Sequence, residues 1–346
     1  MEKVKILKEF MGNYKLYSQY DNRTEMTYPV KDKKILLLCT RFFNYDQLVA
    51  NKLKELGAIV DLYDARAELS TVEKAILKYY KGFFYAKLKK YHKKIVEKKR
   101  EKEYDIIYTN SYLPEETIIL YKEAYPKARI LFYLDDSVAN MKNADKTFSY
   151  YDRVMTFDRS DSIKYNIDLI PLFYEDSYNK KYTSDDYCYD ICFIGTIHSD
   201  RLKVIEAVEK ECQRKGLSFF HYCYLQSRIM YFVYWLTKSE FRKKRFDYFN
   251  YSQIPSSEVA SVLLKSKSVL DIQHPKQTGL TMRTIETLGA GKKIVTTNKE
   301  IKHYDIYREN NVCIIERENP IIDPSFINSE YEELESSVIE KYSIGG

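Results

Sequence analysis

Short apolar runs, each followed by a stretch with helical spacing, recur along this chain in two separate series, and that alternation restricts the folds open to it. The run KKILLLCT begins the first series. Residues 45–56 then space their apolar side chains as a helix does, Gly57 ends that helix, and AIVDLY is the next run. A β-α-β unit of this kind closes with a right-handed crossover, which makes its strands parallel and covers both of their faces. YDIIYTN, residues 115–125, ARILFYLDD and RVMTFD continue the alternation. Residues 174–189 are polar and lack either periodicity. The series then restarts with YDICFIGT, residues 200–215, LSFFHYCY, residues 257–266, KSVLDIQ, residues 282–288 and KKIVTTN. The expected class is α/β, with two Rossmann-like domains in tandem: residues 1–175, a linker at 176–189, a second domain at 190–325, and a closing helix within 326–346 carried by YEELESSVIEKY.

At 346 residues the chain has room for two cores, and 45% apolar residues with only 10 Gly and 8 Pro exclude collagen-like and disordered classes. Lys and Arg number 56 against 50 Asp and Glu, a balance of +6 that does not ask for a nucleic-acid partner, and no RNA motif is present. Six cysteines form no Cys-x-x-Cys pair, MEKVKILKEF is charged where a signal peptide is apolar, and no apolar run reaches about 18 residues. A cytoplasmic protein is expected, neither exported by that route nor spanning a membrane.

Several chemistries lack their residues. The loop after the first strand, which carries Arg41, has no G-x-G-x-x-G, and neither G-x-x-x-x-G-K-[ST] nor G-x-S-x-G occurs, against dehydrogenases, P-loop hydrolases and typical α/β hydrolases. His92, His198, His221, His274 and His303 show no ligand spacing, so no metal site is expected.

Residues 271–298, DIQHPKQTGLTMRTIETLGAGKKIVTTN, place a polar glycine-containing loop between a buried strand and a helix. Ligands of open α/β sheets bind at such strand ends, where loop amides and a helix N-terminus meet phosphate oxygens. His274, Gln277, Thr278, Gly279 and Leu280 form that loop, Arg283 in the first helical turn reaches a diphosphate, and Glu286 one turn on accepts from sugar hydroxyls. Upstream, GTIHSDR sets Gly195, Thr196, His198 and Arg201 at another strand end.

This layout resembles the C-terminal domain of GT-B glycosyltransferases, bacterial enzymes of capsule, exopolysaccharide and lipopolysaccharide synthesis, and more distantly glycosyltransferase family 4 and the CgeB-like proteins. Glu286, Gly291 and IVTTN are the matching features. The resemblance implies two Rossmann-like domains facing a central cleft and metal-independent transfer from a nucleotide sugar, a co-substrate with no further cofactor. It implies a glycan or lipid-linked glycan as acceptor, with Glu286 holding the donor ribose, Arg283 and the Gly279 loop the diphosphate, and Gln253, Ile254 and Pro255 the base. IPSSEV is equally an ordinary helix start capped by Ser256. Family 4 members carry another Glu eight positions before the ribose Glu; here that residue is Thr278. Asp135 and Asp136, after ARILFYL, are candidates for the base that deprotonates the acceptor, and His198 for a further catalytic group; Asp136 also fits a helix cap, and Asp158 has the same two readings. A nucleotide-sugar 2-epimerase shares the two-domain plan, and a non-catalytic homologue acting as a partner or scaffold is the other alternative.

Two segments bear on an anionic membrane surface. Residues 71–102 read as a basic amphipathic helix or helical pair, either docked on the domain or lying on a membrane. Residues 227–251 combine Trp235 and an aromatic run with Arg242, Lys243, Lys244 and Arg245, which suits peripheral attachment to the inner face of a membrane or a buried helix with a charged end.

Overall fold

Strand runs rich in Val, Ile and Leu need cover on both faces, and two all-parallel sheets with helical crossovers provide it. The computed structural model describes residues 30–41, 44–66, 81–141, 143–178 and 187–344. The chain divides into two units between Pro171 and Leu172.

The first unit contains β1 (Lys34–Cys39), α1 (Tyr45–Glu55), β2 (Ile59–Asp64), α2 (Lys81–Lys98), β3 (Ile106–Thr109), α3 (Glu115–Ala124), β4 (Arg129–Leu134), β5 (Arg153–Thr156), α4 (Arg159–Tyr165) and β6 (Asp168–Leu169). Its sheet runs β2-β1-β3-β4-β5-β6, and every pair is parallel. Leu88, His92 and Ile95 of α2 are buried while Lys89, Lys90, Lys93 and Lys94 are exposed. For residues 85–98 the apolar stripe therefore belongs to the domain core and not to a membrane. The rest of that predicted stripe, Val72, Ile76, Tyr79, Tyr80 and the Phe83 side chain, lies outside what is described.

The second unit contains β7 (Tyr189–Thr196), α5 (Arg201–Lys215), β8 (Phe219–Tyr224), α6 (Arg228–Thr237), α7 (Ser239–Arg242), α8 (Ser256–Leu264), β9 (Ser266–Asp271), α9 (Met282–Gly289), β10 (Lys293–Thr296), β11 (Val312–Ile314), α10 (Pro324–Asn328) and α11 (Ser336–Lys341). Its sheet runs β8-β7-β9-β10-β11, again wholly parallel. In both units the first strand lies between the second and the third, so the winding reverses beside it. That reversal opens a crevice at the strands' carboxyl ends, between β1 and β3 in one unit and between β7 and β9 in the other.

Two expectations change. The start of the polar stretch read as linker, Tyr174 to Tyr178, belongs to the second unit: the Tyr174 amide donates to the Tyr342 carbonyl (2.9 Å), the Ile344 amide donates to the Tyr174 carbonyl (3.0 Å), and the turn Asp176–Tyr178 packs on α8 and α9. Residues 179–186 of that linker lie outside the described residues. The closing helix is shorter than YEELESSVIEKY, because the backbone of Glu332 is engaged by Asn311, which accepts from its amide and donates to its carbonyl at 2.8 and 2.7 Å.

Two predictions follow from this packing. The Tyr174 ring lies flat against Gly289, where an added Cβ would come within 2.5 Å of Cγ and Cδ2. Gly289→Ala is expected to cost about 1–3 kcal/mol by overpacking; in a Tyr174→Ala background the same change should cost almost nothing, read from urea midpoints. His92 is fully buried, its Nε2 donating to the Ala65 carbonyl (3.1 Å) and its Nδ1 accepting from the Tyr121 hydroxyl (2.8 Å). Burial lowers its pKa from 6.5 to about 4. Between those values the unfolded chain binds a proton that the folded chain refuses, so stability is full above pH 6.5 and falls as pH drops toward 4, by about 3 kcal/mol. Urea unfolding at pH 7 and pH 5 should show this slope for the wild-type protein, and His92→Phe should flatten it.

Candidate functional site

The carboxyl ends of β7 and β9 are joined by Arg201, the first residue of α5. Its Nε donates to the Ile272 carbonyl at 2.8 Å and its Nη1 to the Thr196 carbonyl at 3.0 Å. Arg283 approaches the same place from the first turn of α9, with Nη2 on the Ile194 carbonyl (3.3 Å) and Nη1 2.7 Å from Glu286 Oε2. A third guanidinium, Arg317, donates to both oxygens of Asp200 (3.0 and 2.9 Å) and to the Gln273 carbonyl (2.8 Å). Burial lowers the pKa of Arg201; Asp271 opposes that shift, and the nearby Arg283 and Arg317 add to it. Three planar cations thus converge where the sheet reverses, and a guanidinium fork matches the geometry of phosphate oxygens.

His198 and His274 border this cluster with ring centroids 5.8 Å apart. Burial, then Arg201, His274 and Lys238, lower the His198 pKa to about 4, so the ring is neutral at pH 7. Between His198 and Arg201, Ser199 takes a left-handed backbone (φ 51), and its carbonyl accepts from Lys238 Nζ at 3.0 Å. A non-glycine residue in that region marks a loop shaped by its surroundings.

The loop from β9 to α9 is positioned by a carboxylate. Asp271, 2% exposed, accepts from the hydroxyls of Thr281 (2.6 Å), Thr284 (2.9 Å) and Thr296 (3.2 Å). Thr281 is also the N-cap of α9, accepting from the Thr284 amide at 3.2 Å, so one buried charge aims the helix N-terminus that carries Arg283. From the exit of β10, Asn298 Nδ2 holds the Thr278 and Gly279 carbonyls, each at 3.1 Å, while Thr297 and Gln273 bond to each other. Gln277 Nε2 donates to the Gly279 carbonyl (3.4 Å), its amide donates to the His274 carbonyl (2.9 Å), and Leu280 is buried in the interior.

Glu286, 5% exposed, is held by Arg283 on one side and by the Tyr178 hydroxyl, which donates to it, on the other. Burial and then Glu286 raise the pKa of both Tyr178 and Glu175, which stations a second carboxyl group beside the pair.

Of the residues singled out in the sequence, Gly195, Thr196, His198, Arg201, His274, Gln277, Thr278, Gly279, Leu280, Arg283 and Glu286 all belong to the β7 and β9 exits or to α9. Gln253, Ile254 and Pro255 follow the segment at the carboxyl end of β8, where Asn250 pairs with Tyr224 and Tyr222 donates to the Ser252 carbonyl at 2.8 Å. Pro255, not Ser256, occupies the N-cap position of α8 and offers no side-chain cap. In the first unit, Asp135 accepts from Asn110 Nδ2 (2.9 Å), and Asn110 Oδ1 accepts from the Thr40 amide (2.8 Å), tying the exits of β1, β3 and β4 together. Asp136 caps its own turn, accepting from the Ser137 amide and Asn140 Nδ2 at 2.8 and 2.9 Å. Asp158 is the N-cap of α4 and accepts from the Ser137 hydroxyl. The sequence reading passed over Asp200, Asp271, Asn298, Arg317, Glu175 and Tyr178. An Asp closing a strand run and the Thr-Thr-Asn closing the next were the available signals for Asp271 and Asn298. Among the described residues no group of three or more His, Cys, Asp or Glu is arranged to hold a metal ion.

No protein-family model matches the sequence, and none of the curated proteins is similar to it. Solved structures are similar in fold. Anabaena Alr3699/HepE in complex with UDP-glucose is 13% identical with a TM-score of 0.55, over 83% of this chain and 86% of that one. The S. aureus MnaA-UDP co-structure is 10% identical with a TM-score of 0.51, over 91% and 93%. The UDP-GlcNAc 2-epimerase of Methanocaldococcus jannaschii is 9% identical with a TM-score of 0.50, over 90% and 96%. The chain has two Rossmann-like α/β units on parallel sheets, the plan of its GT-B neighbours.

The Asp271 cluster yields a direct test. An amide at this position presents a single acceptor oxygen to three hydroxyl donors, so Asp271→Asn is expected to lower stability by about 2–4 kcal/mol. Urea denaturation checks this, and Asp271→Glu, which keeps the charge but not the reach, should recover only part of the loss.

Proposed function

We propose that this protein is a GT-B glycosyltransferase that takes a sugar from a nucleoside-diphosphate sugar and passes it to a lipid-linked glycan of a bacterial surface polymer, working at the inner face of the membrane. The observation that carries the donor side is the convergence of Arg201, Arg283 and Arg317 at the β7/β9 exits, with Glu286 one helical turn from Arg283. Departure of a nucleoside diphosphate concentrates negative charge on its phosphates. Preorganised guanidiniums and the α9 N-terminus stabilise that charge as it develops. Glu286 accepts from the ribose hydroxyls, and the firm seating of the loop by Asp271 and Asn298 keeps the donors from reorganising during reaction. In the first unit, Asp135 and Asp136 at the β4 exit are the carboxylates assigned to the acceptor hydroxyl.

A second reading, a nucleotide-sugar 2-epimerase, draws support from the fold likeness to the M. jannaschii enzyme. The two differ in what they require. An epimerase converts the nucleotide sugar alone, whereas a transferase releases nucleoside diphosphate only as acceptor is consumed.

Calorimetric titration with UDP, GDP, CDP and CMP tests the donor site. One base is expected to bind selectively. Glu286→Ala and Arg283→Ala should each weaken it about 10- to 100-fold, the loss of one hydrogen bond to a charged partner. Unchanged affinity in both variants would overturn the donor assignment. Product from the nucleotide sugar without acceptor would favour the epimerase.

A further inference from the structure

Helix α6 meets the rest of its unit along one side only. Tyr231 is buried, with its hydroxyl on the Lys244 carbonyl (3.1 Å), and the Tyr234 ring packs against Phe241 with centroids 4.9 Å apart. The opposite side is apolar and uncovered. Ile229, Phe232, Val233 and Leu236 are 74%, 57%, 43% and 70% exposed and follow one another at intervals of three, one and three, so they share one helical face. Trp235 is 42% exposed beside them, and Phe246 extends the patch from the next turn, its ring centroid 6.1 Å from that of Phe232.

Charge around the patch indicates what covers it. Arg228, Arg242, Lys243 and Arg245 are exposed in and just after α6, and Arg228 lies over the Phe246 ring, 5.9 Å from its centroid. Of the two acids in residues 227–251, Glu240 is buried and Asp247 is paired with Arg245. A second copy docking on the same face would set these cations against their own equivalents, whereas lipid phosphates complement them. Ten residues make about 15 Å of helix, too short to cross a bilayer but suited to lying in its interface. No described helix is long and apolar enough to cross a membrane.

We propose that α6 docks in the plane of an anionic phospholipid bilayer, with Phe232, Trp235 and Leu236 entering the boundary between headgroups and acyl chains and the exposed cations Arg228, Arg242 and Lys243 facing lipid phosphates. This deepens the membrane part of the reading above and rests on that part alone, so nucleotide binding tests the donor site independently.

Trp235 is the only tryptophan in the chain, so its emission reports the patch directly. The full-length protein is mixed with phosphatidylcholine vesicles with and without phosphatidylglycerol, and followed by fluorescence and flotation. Emission is expected to shift to the blue, and the protein to float, with the anionic vesicles and far less with the neutral ones. Phe232→Ser/Leu236→Ser should lower the partition coefficient by at least about tenfold. Arg228→Ser/Arg242→Ser/Lys243→Ser should lower it on the order of a hundredfold, with circular dichroism unchanged in both. Wild-type protein that ignores anionic vesicles overturns the proposal together with the membrane part of the reading. Vesicle binding that both variants retain overturns the α6 surface alone. A blue shift that grows with protein concentration in the absence of lipid, with a dimer in sedimentation that Phe232→Ser/Leu236→Ser abolishes, assigns the face to a second copy and overturns docking on lipid.

Discussion

A single buried carboxylate, Asp271, holds the second unit's site in shape. It closes β9, and three threonine hydroxyls from the start of α9 and the end of β10 converge on it. A buried charge is tolerated only when its hydrogen bonds are satisfied, so the folded arrangement admits one loop conformation and one direction for the helix. The side chains of α9 inherit that direction. Arg283 reaches the Ile194 carbonyl, and Glu286 faces it across one helical turn, because the helix begins at Thr281 and not a residue earlier or later.

The segment entering the second unit constrains the same helix from its other end. Tyr174 lies against Gly289, the last residue of α9, and four residues on Tyr178 donates to Glu286. Glycine is required at 289 for close approach, not for an unusual backbone. Because Tyr174 is also bonded to the backbone around α11, the start of the unit, its end and its candidate ribose-binding carboxylate form one packed group. A shift in residues 174–178 would therefore move the partner of Glu286 along with it.

The strands and most helices were legible in the sequence because their periodicity is local: KILLLC and KIVT announce buried strands wherever they stand. Three charged residues of the site were legible for a related reason, since Arg201, Arg283 and Glu286 each lie in the first turns of the helix that follows a strand run. What escaped depends on partners far along the chain. Asp271 is meaningful only beside Thr296, 25 positions on, and Arg317 only beside Asp200, 117 positions back. The segment of Tyr174 and Tyr178 read as linker because its polar residues hide two buried tyrosines whose contacts are with α9 and α11. Helix α6 shows a different limit: an apolar run of this composition suits a core or an interface equally, and only the exposure of Ile229 and Leu236 separates the two.

The two units wind their strands in the same order and differ in what they place at the reversal. In the second, guanidiniums bonded to strand-end carbonyls gather at the β7/β9 crevice, an environment for an anion. In the first, the β1, β3 and β4 exits are linked by an amide and a carboxylate, Asn110 and Asp135, with Asp136 next in the chain and Asp158 and Asp161 close by at the start of α4. Burial raises the pKa of Asp161, and Asp158 and Asp136 add to the shift, so these carboxyl groups stand within electrostatic reach of one another. The same reversal therefore carries two chemically different strand ends, guanidiniums bonded to carbonyls in the second unit and interacting carboxyl groups in the first.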